Sequence, residues 1–207
     1  MSRPAFRFRS RPHDDLKIDG DRVYLRLPRL ADHAEWSALR TRSRSFLEPW
    51  EPRWPDDDLT RSAFQYRIRR YDADHGSGLA TPLFIFLKGS NRLVGGLTLS
   101  NIRRGASETC TLGYWMGEAY AGKGLMHDAL CAILPHVFGQ MRLHRIEAAC
   151  IPDNERSTHL LEKVGFRREG YLNGYLKING TWRDHLLYAL IAEDWHEGLA
   201  KPTKATG

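Results

Sequence analysis

The sequence predicts a mixed sheet with helices packed on its faces, α+β or α/β in class. Three observations predict it. Short alternating or apolar runs have the length of strands, longer segments carry apolar residues at helical spacing, and turn or cap residues stand between them. No internal repeat or low-complexity linker divides the 207 residues, so the chain reads as one domain with a substantial core.

RVYLRL (22–27) alternates and reads as the first strand. Residues 31–46 read as a helix, with Ala34, Ala38 and Leu39 on one face and Trp36 nearby. Pro49, Pro52 and Pro55 in FLEPWEPRWP force a loop. Thr60 caps a second helix through Phe64, Ile68 and Tyr71. PLFIFLK, the turn GSNR and LVGGLTLSNI make a hairpin, and TCTLGYWM adds a strand. Leu125, Met126, Ala129, Leu130, Ile133, Leu134, Val137 and Phe138 then recur at helical spacing. Pro135 is expected to kink that helix one turn earlier, near Cys131, whose carbonyl loses its partner. RIEAACI reads as a short buried strand. Asn154 caps the next helix, with Leu160, Leu161 and Val164 inward; Gly165 ends it in the left-handed conformation and Phe166 makes the apolar contact. YLNGYLKI, the turn Asn179-Gly180 and TWRDHLLYALI form a long hairpin.

At 42% hydrophobic and 27% charged residues, the composition excludes disordered and fibrous classes. No apolar run approaches the ~18 residues of a membrane span, and the start MSRPAFRFRSRPHDD lacks a signal-peptide segment. A cytoplasmic protein without a membrane partner is expected. Cys110, Cys131 and Cys150 are odd in number, have apolar neighbours and form no C-x-x-C, which predicts buried thiols in a reducing compartment. The nine His show no ligand-like spacing, so no metal is assigned. The formal charge of +6 is partly local, since Arg3, Arg7, Arg9 and Arg11 meet no acid in the first eleven residues. They are either a solvated terminus or a basic arm touching RNA or the ribosomal surface. Residues 1–18 are set apart as a mobile Arg-rich extension and 198–207 as a tail, leaving 19–197 as the domain.

GEAYAGKG (117–124) satisfies seven of the eight positions of the phosphate-loop pattern. The hydroxyl that would ligate magnesium is missing, because Gly124 stands there. A dinucleotide fingerprint fails as well, since His127 occupies the place of its third glycine. A glycine-rich turn opening a helix still binds anions through free N–H groups and the helix dipole. The stretch therefore predicts a phosphate site with no required metal.

The element order, the Gly122-x-Gly124 loop and the NERS…EKVGF segment resemble the GNAT N-acetyltransferases. Within them, FLEPWEP, LGYWMGEAYAGKGLM, LHRIEAACIPDNERSTHLLEKVGFRREGY and INGTWRDHLLYAL are similar to the RimJ-type enzymes, which acetylate an N-terminal alanine of a ribosomal protein. The likeness spans roughly residues 20–195. It implies the GNAT fold, with a mixed and mostly antiparallel sheet of about seven strands and helices on both faces. It implies acetyl-CoA as cosubstrate and a ribosomal protein N-terminus as partner. One position departs: Ala119 stands where the superfamily's phosphate motif begins with Gln or Arg.

On this resemblance the pyrophosphate falls to Ala121, Gly122, Lys123, Gly124, Leu125 and Met126, where a Cβ on either glycine would hold it off. Lys123 adds charge there or is simply solvated. The pantetheine arm falls to the strand end Trp115, Met116 and Gly117, although Trp115 equally suits sheet packing. Ser157, three residues after Asn154, falls in the place of the proton donor to the departing thiolate. Asn154 caps its helix, bonds the pantetheine, or both. Glu147 is the candidate general base on the following strand, about four residues, or roughly 13 Å, from its splayed end. A strong base is not required for an α-amine: at pH 7 deprotonating it costs only ~1 kcal/mol, against ~4.6 for a lysine. Trp50, Trp54, Tyr114 and Trp182 are the candidate acceptor contacts, and each is also explained by packing. Two alternatives share the fold: a small-molecule amine acetyltransferase acting on an amino sugar, polyamine or antibiotic, and a ribosome- or RNA-binding assembly factor.

Overall fold

The computed structural model describes residues 16–195. Its strands are β1 (Lys17–Asp19), β2 (Val23–Arg26), β3 (Thr81–Leu87), β4 (Leu93–Arg103), β5 (Thr109–Met116), β6 (Arg145–Cys150), β7 (Arg167–Ile178) and β8 (Thr181–Ile191). They form one sheet in the order β1-β2-β3-β4-β5-β6-β8-β7. β5 and β6 are the parallel pair, and every other pairing is antiparallel. The strand beyond the expected seven is β1, three residues long and begun inside the stretch set apart above as an extension.

Five α-helices cover the sheet: α1 (His33–Arg42), α2 (Arg44–Leu47), α3 (Arg61–Gly76), α4 (Leu125–Pro135) and α5 (Glu155–Val164). Alternation along the strands sends side chains to two cores. Cys110, Leu112 and Met116 of β5 join Ile146, Ala148 and Cys150 of β6 and Leu186, Tyr188 and Leu190 of β8 beneath α4 and α5. On the other face Trp36 and Leu39 of α1 and Phe64 of α3 pack on Phe84, Phe86 and Leu93. That second cover stops at β5, and the face of β6 and β8 beyond it is the floor of the site.

Two helices differ from the sequence reading. The helix expected over 31–46 breaks at Ser43, whose buried hydroxyl accepts the Glu118 N–H at 3.0 Å. A tertiary bond to the turn after β5 thus replaces continued helix. Pro135 does not disturb the helix at Cys131. The chain winds into a π turn after it, over His136–Gln140, closed by the Met141 N–H on the His136 carbonyl at 2.8 Å. A wider turn downstream relieves the proline ring and finds new partners for the following N–H groups.

Several local cap and turn signals match the structure, whereas Cys131, expected to be buried, is only partly so. Thr60 accepts from the Ala63 N–H at 3.3 Å, Gly165 ends α5 at φ 104°, and Asn179-Gly180 turns at φ 43° and 85°. Cys110, Cys131 and Cys150 are free thiols, the first and last buried. The arginines at 3, 7, 9 and 11 and the tail 198–207 lie outside the described residues.

Candidate active site

The register of β5 and β6 ends abruptly. They pair from Thr109↔Arg145 to Leu112↔Ala148, after which β6 continues on β8 through Cys150↔Leu186 and β5 continues on β4 through Gly95↔Met116. The edge of residues 113–116 that faces β6 therefore has no strand partner among the described residues, and the two strands splay. A row of unsatisfied backbone N–H and C=O groups is a template for an extended, amide-bearing ligand.

Directly beyond β5 the chain makes the predicted loop. Gly117 sits tightly against α1: a Cβ there would lie 2.4 Å from Leu39 Cδ1, so a larger residue would force that side chain to shift. Gly122 and Gly124 both have φ 72°, a left-handed conformation that costs other residues strain. The two glycines are thus required by the loop's own geometry, before any ligand is considered. Gly124 is the N-cap of α4, and the first helical bond runs from the Asp128 N–H to the Gly124 carbonyl at 3.1 Å. The N–H groups of residues 125–127 precede that bond and are left for an anion. Leu125 and Met126 bury their side chains, whereas Lys123 is exposed and its carbonyl accepts from Arg22 Nη1 at 3.0 Å. Arg22 escaped the sequence reading, yet it brings a guanidinium to the loop. A Cβ on Gly124 would lie 3.0 Å from its Nη2. Asp128, in the first turn of α4, holds this arrangement by accepting the N–H groups of Asp21, Arg22 and Val23 at 2.9, 2.7 and 3.1 Å.

Under the splay, Tyr114 Oη and Ser157 Oγ are 2.7 Å apart. Burial pushes the Tyr114 phenol well above its ordinary value, so it stays protonated at neutral pH. Cys150 lies against the same hydroxyl, its thiol pushed up to about 11 by burial. Asn154 caps α5, its Oδ1 accepting the Ser157 N–H at 3.2 Å, which fixes Ser157 in the first turn. The structure thus joins a candidate acceptor residue, Tyr114, to the candidate proton donor.

Trp115 turns its side chain the other way. It covers Gly96, where a Cβ would meet its Nε1 at 2.7 Å, and the Arg40 guanidinium lies 5.0 Å from its ring. Only its backbone faces the splay. Glu147 stands one residue before the last β5–β6 pair, nearer the opening than expected, but its Oε1 accepts from Arg145 Nε at 2.7 Å.

The acceptor side is built by long-range side-chain contacts. Arg40, buried in α1, grips Glu51 with two bonds of 2.9 and 2.7 Å and stacks 4.0 Å from the Trp54 ring. Trp54 Nε1 donates to Glu51 Oε2 at 2.7 Å, and Trp54 is buried. Trp54 thus pins the proline loop, and Asp58 is likewise buried and paired with Arg67. Trp50 (37% exposed) and Trp182 (64%) remain accessible. The hairpin turn closes on the loop through the Asn179 N–H on the Glu51 carbonyl at 2.9 Å. A hollow of about 690 Å³, lined by Ala119, Tyr120, Arg42 and Arg92 among others, lies beside the glycine loop and away from the splay. Among the described residues no group of three His, Cys, Asp or Glu is placed to hold a metal, and no helix is long and apolar enough to cross a membrane.

Residues 22–167 match the family model described as Acetyltransferase (GNAT) domain. The chain is 36% identical over 183 residues to the [Ribosomal protein uS5]-alanine N-acetyltransferase of Escherichia coli (strain K12), covering 88% of this chain and 94% of that enzyme. Among solved structures it is similar to Mycobacterium smegmatis RimJ in complex with CoA-disulfide, with TM-score 0.84, 36% identity and coverage of 89% and 91%. It is also similar to the ribosomal-protein-S5-alanine acetyltransferase from Vibrio fischeri, with TM-score 0.81, 32% identity and coverage of 88% and 100%.

Proposed function

The chain belongs to the GNAT acetyltransferase family, and on that premise we propose that it moves the acetyl group of acetyl-CoA to the N-terminal α-amine of a protein, a ribosomal protein beginning with alanine, in the cytoplasm. The observation that carries the reading is the splay after Leu112 and Ala148, flanked by the glycine loop and underlain by the Tyr114–Ser157 pair. The likeness to enzymes named for ribosomal-protein alanine supplies the acceptor.

The residues present suit acetyl-CoA. The open N–H groups at the start of α4 and the Arg22 guanidinium receive the pyrophosphate. Arg22, just before β2, thereby supplies the side-chain donor that Ala119 lacks. The free edge of residues 113–116 receives the amides of the pantetheine arm. The bound thioester supplies an activated acetyl carbon, and the Ser157–Tyr114 hydroxyls donate a proton as the thiolate leaves. Asn154 orients Ser157 for this. Trp50 and Trp182 stand exposed as aromatic contacts for a peptide. An α-amine suits a site without a strong anionic base, since at pH 7 its deprotonation costs only ~1 kcal/mol, against ~4.6 for lysine. The small-molecule alternative shares every cosubstrate residue and differs only in the walls. No described residue favours the RNA-binding alternative.

The test is acetylation of an Ala-initiated peptide against a peptide with a blocked N-terminus and an internal lysine, and against a polyamine, followed by mass spectrometry. Turnover of the first by orders of magnitude over the others is expected. Equal rates on the two peptides, or faster turnover of the polyamine, would leave only the family standing.

A further inference from the structure

An acceptor amine arrives protonated, and the site so far gives its proton nowhere to go. α4 and α5 cover one face of β5, β6 and β8, which leaves the opposite face for an acceptor. By alternation that face carries Thr111, Gly113 and Trp115 of β5, Glu147 and Ala149 of β6, and His185, Leu187 and Ala189 of β8. Gly113 leaves open space on this face, since a Cβ there would meet nothing within 4 Å, while His185 at its rim is buried.

The carboxylates near this floor are all engaged. Glu147 and Glu169 are both held by Arg145. Glu51 is held by Arg40 and Trp54. Asp153 pairs with Arg183, and Asp184 accepts from the Gly174 N–H and the Tyr171 hydroxyl, each at 2.7 Å.

His185 is different. Its Nδ1 lies 3.0 Å from the Arg183 carbonyl, which can only accept, so Nδ1 carries the hydrogen and Nε2 keeps a lone pair. No hydrogen bond engages Nε2 among the described residues. The position is apt. Cys150↔Leu186 is the last β6–β8 pair, so His185 stands just past the paired end of β6, beside the opening that β5 and β6 leave. A bridging water can carry a proton between an amine in that opening and the ring. The ring is also aimed. Three β7 residues bulge between the pairs Leu172↔His185 and Leu176↔Arg183, with Gly174 at φ 52° and Asp184 holding its N–H. The bulge lays Tyr175 edge-on against His185, with centroids 5.6 Å apart. Bulges beside active sites commonly re-aim a side chain in this way.

We infer that His185 Nε2, through one bridging water, accepts the proton of the acceptor ammonium. The inference rests on the amine-acetylation reading above. One N–H bond of the ammonium breaks and its proton passes through the water to Nε2. The freed lone pair forms the C–N bond as the C–S bond breaks. The second amine proton balances the one the Ser157–Tyr114 pair gives to the thiolate, and His185 returns its own proton to solvent. The groups acting on the ring are Tyr175 from β7 and Arg183 and Asp184 on its own strand, with Asp153 paired to Arg183. Burial holds the imidazole below its ordinary value; the bond to the Arg183 carbonyl opposes this, the Arg183 guanidinium adds to it and Asp184 opposes it, so the ring is unprotonated and able to accept at pH 7.

The pH profile tests this independently of how much variant folds. With His185 taking the proton, the ammonium is itself a productive substrate, so kcat/KM of the natural chain levels off once the ring is neutral, below about pH 6.5. His185→Asn keeps an N–H near the Nδ1 position but offers no base. Its kcat/KM should climb until the peptide amine titrates at about 7.7–8, giving a deficit of about 20-fold at pH 6.5 that closes above pH 8. Affinity for acetyl-CoA should be unchanged. If the natural chain also climbs to pH 7.7–8, or if the two profiles coincide, His185 is not the acceptor of the proton. Should the natural chain prefer another amine, the functional reading fails separately, and the same pair of profiles is measured on that amine.

Discussion

The two sides of the cleft are held by different kinds of force. On the reading proposed above, the cosubstrate side is made of backbone: an unpaired strand edge, two glycines at φ 72° and the open start of α4. The acceptor side is made of side chains that meet across long stretches of sequence: Arg40 with Glu51 and Trp54, and Asp184 with Gly174 and Tyr171. Backbone groups bind what all substrates of a family share, and they tolerate change in most side chains around them. Side-chain clusters can be rebuilt without disturbing that half. The division therefore places the proposed cosubstrate contacts and the proposed acceptor contacts on separable parts of one sheet.

The largest effect expected from breaking this division lies at Arg40. Replacing it with Met leaves the Glu51 carboxylate with only the Trp54 N–H and the Trp54 ring without its stacked cation. Breaking a buried pair from one side costs about 3 kcal/mol, the low end of the usual range since Glu51 retains some solvent. Thermal unfolding should shift down accordingly. Peptide kcat/KM should fall because the proline loop and the hairpin turn on Glu51 loosen together. The acetyl-CoA dissociation constant should not change, and an equal loss in both measurements would show that the two sides are not separable.

Gly124→Val tests the other side. Valine is strained at φ 72° and its Cβ meets the Arg22 guanidinium. Acetyl-CoA should bind about 100-fold more weakly, or ~2.7 kcal/mol, by calorimetry. The KM for peptide at saturating acetyl-CoA should be preserved. Unaltered affinity for acetyl-CoA would remove the loop from the phosphate site.

The same contrast explains what the sequence disclosed. Features enforced by local backbone chemistry were legible: the glycine loop, the Asn154 cap, the Gly165 stop and the Asn179-Gly180 turn each leave a residue type at a fixed offset. Contacts between distant segments leave no such trace. Nothing in the spacing of Arg22 or Asp128 indicates that they meet across more than 100 residues. Ser43 reads as a helix interior, and its bond to Glu118 is visible only after β5 is folded beside α1. His185 sits in an alternating strand, where its face is readable but the splay beside it is not. Trp54 and Trp50 look alike in a proline-rich loop; one is buried by an arginine 14 residues upstream and the other is not.

A smaller effect lies at the seam between the halves. Ser157→Ala and Tyr114→Phe should each lower kcat about tenfold, or ~1.4 kcal/mol, with little change in the KM for acetyl-CoA, because proton donation matters only as the thiolate departs. If the two hydroxyls act as one relay, the double variant should be no slower than the slower single variant. Multiplying losses would instead make them independent, and an unchanged kcat for Ser157→Ala would reduce that residue to the first turn of α5.

The smallest effect concerns Asp184, which sets the bulge on the acceptor side. The Gly174 N–H and then the Tyr171 hydroxyl hold its carboxyl below the usual value of about 3.8, despite its exposure. A carboxyl depressed in the folded state contributes stability that is present above its unfolded value and lost as pH falls through the folded one. The bulge should thus stay intact from neutral pH down to about pH 3.8 and loosen only below it. The Gly174 amide resonance, followed through an acid titration, reports this directly, since its partner loses charge at that point. A midpoint below 3.8 is expected, with the amide resonances of residues 122–126 unmoved over the same range. A midpoint at or above 3.8 would mean that Asp184 gains nothing from its partners and that the bulge is set by Gly174 alone. Joint movement of the glycine loop would mean that the acceptor side is not autonomous even at its outer edge.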